Sequence, residues 1–271
     1  MSNANAQVTK CSFSGGNIST PVANGACYAP ASTVYFPVTK IMLCHKRLSA
    51  PTSTSPINTS GCALFYSSSS SQEVPIVLGT VQFPGTIAPQ SSLLQGNPPG
   101  KGNQFTYAYI ESLPYARVQA KAGFTSTQTA VDGSTGATCW SKSGELYNYE
   151  SSVPSSVASC GLSTAANPAP TKIWLNSLGT GGAYMSYSSV DNGVTVDTYL
   201  VDSNGRQSVP TTAGSMGTVA KIINVQQLNY NFSMQSSGVN ANVNITQAAW
   251  VNTGPVYFIN GNATLSLTPR N

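Results

Sequence analysis

The chain has 271 residues, enough to bury a substantial core in one large β domain or two smaller ones. Only 7% of them are charged, against roughly 25% in an ordinary soluble domain, and Ser, Thr, Asn, Gln and Gly fill the difference. The net charge of +4 comes from twelve scattered Lys and Arg against eight Asp and Glu. No basic stripe interleaves with aromatic residues, and no apolar run reaches the roughly 18 residues of a spanning helix, so nucleic-acid binding and membrane spanning are not expected.

Residues 1–10 read as a polar, flexible N-terminal arm ahead of a β domain over 11–271. "MSNANAQVTKC" has no apolar h-region, while Ala4-Asn5-Ala6 resembles the small-residue end of a cleavage site. The expectation is a secreted protein whose export signal lies outside this sequence; a natural start without a signal is the plainer alternative. "TVYFPVTKIMLC" is the first strand candidate and ends at Cys44, beside the only histidine, His45. On a strand, neighbours point to opposite faces, so Cys44 and His45 cannot work together as nucleophile and base, and no second histidine exists to activate a Ser or Cys. Cys44 is therefore read as half of a disulfide, and His45 with Lys46 and Arg47 as a solvated surface patch. Residues 49–60 and 67–72 read as exposed loops.

"VPIVLGTVQF", "QFTYAYIES" and "YARVQAK" are further strands, with the loop "GNPPGKG" before the last two. That loop lacks phosphate-loop spacing, and Pro98 and Pro99 remove the donors that would cradle a phosphate. No G-x-S-x-G elbow is present. Residues 123–183, rich in Gly, Ser, Ala and Pro, read as long loops held by Cys139 and Cys160, with a loop-rich outer lobe as one option. A β-meander follows in "AYMSYSS", "VTVDTYLVD" and "RQSVP", with positive-φ turns at Asn192-Gly193 and Asn204-Gly205. Alternation is cleanest in "LNYNFSMQ" and "VNANVNIT", which together predict an antiparallel hairpin across "SSG". An Asn260-Gly261 turn would then lead into "NATLSLT", with Ala263, Leu265 and Leu267 inward. No helical period appears. The fold class is all-β: a disulfide-stapled sandwich or jelly-roll-like body with long Ser/Gly-rich loops.

Six cysteines without a C-x-x-C pair argue for disulfides and an oxidising compartment. The local pairing Cys11 with Cys27, Cys44 with Cys62 and Cys139 with Cys160 is preferred among fifteen connectivities. Sequons at Asn17, Asn58, Asn231, Asn244 and Asn262 are candidate glycosylation sites, and the last three fall on the polar phase of their strands. No zinc or iron set is available from one histidine and paired cysteines, so no cofactor is expected. Asp191, Asp197 and Asp202 are the weak calcium candidates, although turn Asp and Asn need no metal to explain them.

Three function classes remain. The first is a non-enzymatic extracellular structural subunit that self-associates into a fibre, pilus-like filament or shell. Its means would be donor-strand exchange, using residues 6–10 ("AQVTK") or 262–268 ("NATLSLT"). The second is a carbohydrate-binding adhesive module built on Tyr107, Tyr109, Tyr147, Tyr149, Tyr184 and Tyr187. The third is a secreted glycoside hydrolase, with Glu111 as the carboxylate to watch among Glu73, Glu111, Asp132, Glu145, Glu150, Asp191, Asp197 and Asp202.

Overall fold

A computed structural model of the chain describes residues 9–68, 74–77, 79–83, 105–148, 152–176, 186–191, 194–210, 212, 214–232 and 238–270. Of these, 74–77, 79–83, 186–191, 194, 229–232, 238–248, 250 and 260–270 are described as backbone alone.

β1 (Thr9–Lys10), β2 (Phe13–Ser14) and β3 (Asn17–Ile18) lead to β4 (Ala26–Ala29). β5 (Thr33–Phe36) and β6 (Val38–Cys44) flank Pro37, and β7 (Cys62–Ser67) returns along β6. β8 (Val74–Val77), β9 (Gly79–Phe83), β10 (Phe105–Ser112) and β11 (Tyr115–Gln119) follow. β12 (Lys121–Thr129), β13 (Thr135–Ser141), β14 (Gly144–Tyr147), β15 (Ala158–Gly161) and β16 (Thr171–Trp174) come next. β17 (Ser186–Asp191), β18 (Val194–Val201), β19 (Lys221–Phe232), β20 (Gly238–Thr253) and β21 (Val256–Arg270) complete the chain. Helix among the described residues amounts to three single 3-10 turns.

The strands among the described residues form four sheets. A central sheet has the order β17-β18-β19-β10-β6-β7. A C-terminal sheet runs β1-β4-β20-β21, with β9 also on β20. The other two run β14-β16-β11-β5-β8 and β15-β13-β12-β3-β2. The body is thus all-β and stapled by disulfides, as composition and alternation indicated.

Several runs that look continuous in sequence change sheet part-way. β5 and β6 divide at Pro37, and β10 and β11 divide at Leu113-Pro114. Proline cannot donate to a ladder, so it sits where pairing changes hands. The two corners are tied together: the Leu113 N–H donates to the Pro37 carbonyl at 3.0 Å. β11 and β12 divide at the buried Ala120, whose carbonyl accepts from the Ser141 N–H at 3.0 Å.

One core lies where the three smaller sheets face each other. Val34, Val118 and Ile173 meet Phe124, Cys139 and Cys160, and Ala249, Val251, Val256 and Phe258 close it from the C-terminal sheet. The central sheet is apolar on both faces. On β10, Ala108 and Ile110 pack with Ile41, Leu43 and Phe65, whereas Tyr109 packs with Tyr199, Ile223 and Val225. The second face is covered by the segment 45–61, which buries Leu48 and Ile57 against it. That segment, expected as an exposed loop over 49–60, is therefore a strap: polar and exposed along most of its length, with apolar anchors pointing inward.

Four expectations are corrected. The stretch 123–183 holds β12 to β16 rather than long loops; its strands are short and built of Gly, Ser, Thr and Ala, so they carry little apolar alternation. The runs around 228–235 and 239–246 do not form a hairpin, because β19 belongs to the central sheet and β20 to the C-terminal one. Alternation marks a half-buried strand but not its partner. Asn260-Gly261 is no turn, since β21 runs through it; the real hairpin turn is Gly254-Pro255, between the paired Thr253 and Val256. Finally, Thr9 and Lys10 of the N-terminal arm are paired in parallel with Cys27 and Tyr28, while residues 1–8 lie outside the described residues.

Candidate functional site

The three disulfides are Cys11–Cys27, Cys44–Cys62 and Cys139–Cys160, the local pairing preferred from the sequence. Cys44 lies directly opposite Cys62 on the β6–β7 ladder, and Cys139 opposite Cys160 on β13–β15. His45 begins the strap. Its ring stacks on Phe105 at 4.6 Å, and its carbonyl accepts from the Thr106 hydroxyl at 2.8 Å. Arg47, two residues on, clamps Asp197 of β18 with Nη2 2.8 Å from Oδ2 and Nε 3.1 Å from the same oxygen. The Asp197 side chain is only 6% exposed. These hydrogen bonds and the carboxylate's charge raise the guanidinium pKa further above its ordinary value. The basic patch is thus partly a fastening for the strap over the central sheet.

Glu111 is buried on the same face of β10 as Tyr109 and is saturated with partners. The Lys221 ammonium lies 3.2 Å from Oε1, the Thr39 hydroxyl donates to the same oxygen at 3.1 Å, and the Tyr109 hydroxyl donates to Oε2 at 3.1 Å. Burial, then the neighbouring carboxylate and the hydrogen bond to it, push the Tyr109 hydroxyl well above the usual phenol range. Such a group locks three central strands together, since a buried charge is tolerable only when paired and hydrogen-bonded.

The other acids among the described residues are dispersed. Asp132 organises the β12–β13 turn, accepting from the Ser134 N–H at 3.0 Å and from the Ser134 hydroxyl, with Lys142 at 3.2 Å. Ser134 in turn accepts from the Cys160 N–H at 2.7 Å and bonds the Ser159 hydroxyl. Burial pulls the Asp132 pKa up, but the Ser134, Ser159 and Lys142 bonds outweigh it and leave it below the ordinary value. A depressed carboxylate contributes stability above its unfolded pKa of about 3.9, and that stability is lost as pH falls through the folded value. Asp132→Asn is therefore expected to flatten the decline of stability below about pH 4; urea unfolding at several pH values checks it, and an unchanged acid slope would contradict it.

Of the calcium candidates, Asp197 is held by Arg47, and Asp202 caps a turn by accepting from the Asn204 and Arg206 N–H groups, each at 2.9 Å. The Asp191 side chain lies outside the described residues. Among the described residues no three His, Cys, Asp or Glu side chains converge on a common point. Glu73 and Glu150 lie outside the described residues, as do Tyr149 and Tyr184; Tyr187 is described as backbone alone. Asn17 and Asn58 are exposed, the latter accepting from the Ser60 N–H at 3.0 Å. Asn231, Asn244 and Asn262 lie on β19, β20 and β21, with side chains outside the description.

Sequence reasoning named Tyr147 but missed its neighbours. Register places Tyr115, Trp174 and Tyr147 side by side across β11, β16 and β14, and Tyr35, Arg117, Lys172 and Glu145 in the adjacent row. Trp174 meets Tyr115 edge-on at 5.2 Å and lies nearly parallel to Tyr147 at 6.1 Å. The Lys172 ammonium sits 3.8 Å over the Trp174 ring, while Trp174 Nε1 donates to Glu145 at 3.0 Å. That indole bond, opposed by burial and aided by Lys172, lowers the Glu145 pKa. In sequence Tyr115, Tyr147 and Trp174 are up to 59 positions apart (Tyr115 to Trp174), so no local pattern announces their row.

The last feature is a strand edge. β21 spans 15 residues and, among the described residues, is hydrogen-bonded along its length to β20 alone. The exception is at its start, where Val256 bridges Ala130 and its carbonyl accepts from the Val131 N–H. The segment 262–268, expected as a strand donor, is thus paired with β20 of its own chain.

These features define an all-β, disulfide-stapled protein; no helix among the described residues is long and apolar enough to cross a membrane. The chain matches no protein-family model, no curated protein and no solved structure.

Proposed function

We propose that this chain is a non-enzymatic, secreted structural subunit that associates with further copies of itself into a fibre, pilus-like filament or shell. The observation that carries this reading is the 15-residue β21, which among the described residues stands at the end of its sheet. A long strand at a sheet's end is a template for adding another strand. Three disulfides suit an oxidising compartment and a subunit that must hold its shape outside the cell. The test is sedimentation and negative-stain microscopy of the purified chain over a wide concentration range. Regular assemblies are expected, and a monomer throughout would sink the proposal.

A second reading, a carbohydrate-binding adhesive module, has the Tyr115–Trp174–Tyr147 row in its favour. Lys172 covers one face of the Trp174 ring, so a sugar would have to displace it or use the ring edges. A glycan array in which Trp174→Ala abolishes a reproducible signal would favour this reading over the first.

A further inference from the structure

We infer that Asn58, on the strap over the central sheet, is an N-glycosylation site, and that Asn17, the other sequon whose side chain the structure describes, is not; this rests on the secreted reading proposed above. Asn58-Thr59-Ser60 and Asn17-Ile18-Ser19 satisfy the same acceptor rule. Both asparagines are also exposed. What separates them is the fold around each.

Asn58 sits on a surface segment that is fixed in place without belonging to a sheet. The Cys44–Cys62 bridge closes the strap at its root, Leu48 and Ile57 are buried beneath it, and the Gln207 N–H donates to the Thr52 carbonyl at 2.9 Å. Ile57 is buried, whereas Asn58 beside it faces solvent. The Asn58 Oδ1 accepts from the Ser60 N–H at 3.0 Å, which turns that branch of the carboxamide toward the backbone and sets its orientation. The nitrogen, to which a glycan is bonded, is the other branch. A bulky, solvated chain attached there extends from the polar outer side of the strap, where Thr52 to Pro56 are exposed as well.

Asn17 is held within a sheet. It lies on β3 opposite Ser14 of β2, and β3 is paired on its other side with β12 through Ile18 and Phe124. Its carboxamide rests on β12, since a Cβ at Gly123 would collide with the Asn17 Oδ1. The middle residue of this sequon, Ile18, is 1% exposed, and the Ser19 N–H donates to the Ser12 carbonyl at 2.8 Å. To enter a transferase, this segment must leave two neighbouring strands and bring Ile18 into water, which the hydrophobic effect opposes. The Asn58 sequon is presented with no strand unpaired.

The donor is a lipid-linked oligosaccharyl diphosphate. The Asn58 Nδ2 bonds to the anomeric carbon, and the bond from that carbon to the diphosphate oxygen breaks. The lipid diphosphate leaves with the electron pair, and the amide gives one proton to a base of the transferase. Nothing is oxidised or reduced.

The experiment is secretion of the 271-residue chain from cultured eukaryotic cells behind an added export signal. Enzymatic glycan release in heavy-oxygen water then converts each glycosylated Asn into a labelled Asp, which peptide mass mapping reads. Asn58 is expected to carry the label in most chains and Asn17 in almost none. Ser60→Ala, which destroys the acceptor pattern but keeps Asn58, should remove that label, and Asn17→Gln should leave it unchanged; melting curves show that both variants fold. A chain secreted with its disulfides closed and no label at Asn58 would overturn this inference and leave the secreted reading standing. Label at Asn17 equal to that at Asn58 would overturn the selection by the fold. A chain retained in the cells with free thiols would overturn the secreted reading and this inference with it.

Discussion

Replacing Cys139 and Cys160 together by alanine is expected to lower the unfolding free energy by about 3 kcal/mol, the loop-closure value for a bridge of this span in the chain-entropy model. The two residues are 21 apart and lie opposite each other on the β13–β15 ladder, both buried. What remains without the bridge is a thin set of contacts. β15 has four residues, and Gly136 and Gly161 close so tightly that a Cβ at Gly136 would collide with the Gly161 backbone. Ser134 still ties the β12–β13 turn to the Cys160 N–H and the Ser159 hydroxyl. Guanidinium unfolding of the double variant, compared with the parent under oxidising conditions, measures the loss. A change below about 1 kcal/mol would show that the Ser134 and Asp132 network holds this sheet together without the covalent link.

Phe258→Ala is expected to cost more, roughly 3–5 kcal/mol, the usual range for truncating a fully buried aromatic ring. Phe258 is 1% exposed and sits on β21 against the core shared by the three smaller sheets. The cavity would open where the C-terminal hairpin docks on the body. A neighbouring core residue, Val251, lies opposite Phe258 on β20 and would lose its cross-strand partner. Both thermal and denaturant midpoints should fall together if the hairpin and body unfold as one unit. A separate early transition in the variant would instead show that the hairpin unfolds independently, and a loss under about 1.5 kcal/mol would mean that the site collapses around the missing ring.

The parts of this protein that were legible in its residues are those set by neighbours along the chain. Alternation at i and i+2 marked strands in the meander and at the C-terminal end, and the lack of a helical period ruled out helices. Asn204-Gly205 marked a turn, and Gly205 does adopt a φ of +78° there. Three cysteine pairs separated by 16, 18 and 21 residues closed as their spacing suggested. Cys44 was also read correctly as half of a disulfide, whereas His45, read as part of a solvated patch, lies just past the strand with its ring on Phe105.

Partner choice lay beyond the sequence. Alternation states that one face of a strand is buried, and says nothing of which sheet buries it. β19 and β20 alternate in the same way yet enter different sheets, and β10 breaks the alternation because the strap covers its second face. Glu111 stood at the end of an aromatic strand as a possible catalytic acid until Lys221, Thr39 and Tyr109 were brought to it from 110, 72 and 2 residues away. The Tyr115–Trp174–Tyr147 row likewise exists only through register between strands distant in sequence. Composition and local periodicity determined an all-β, disulfide-stapled chain poor in charge; long-range pairing, which depends on contacts that no short window contains, decided which strands share a sheet and which side chains meet across them.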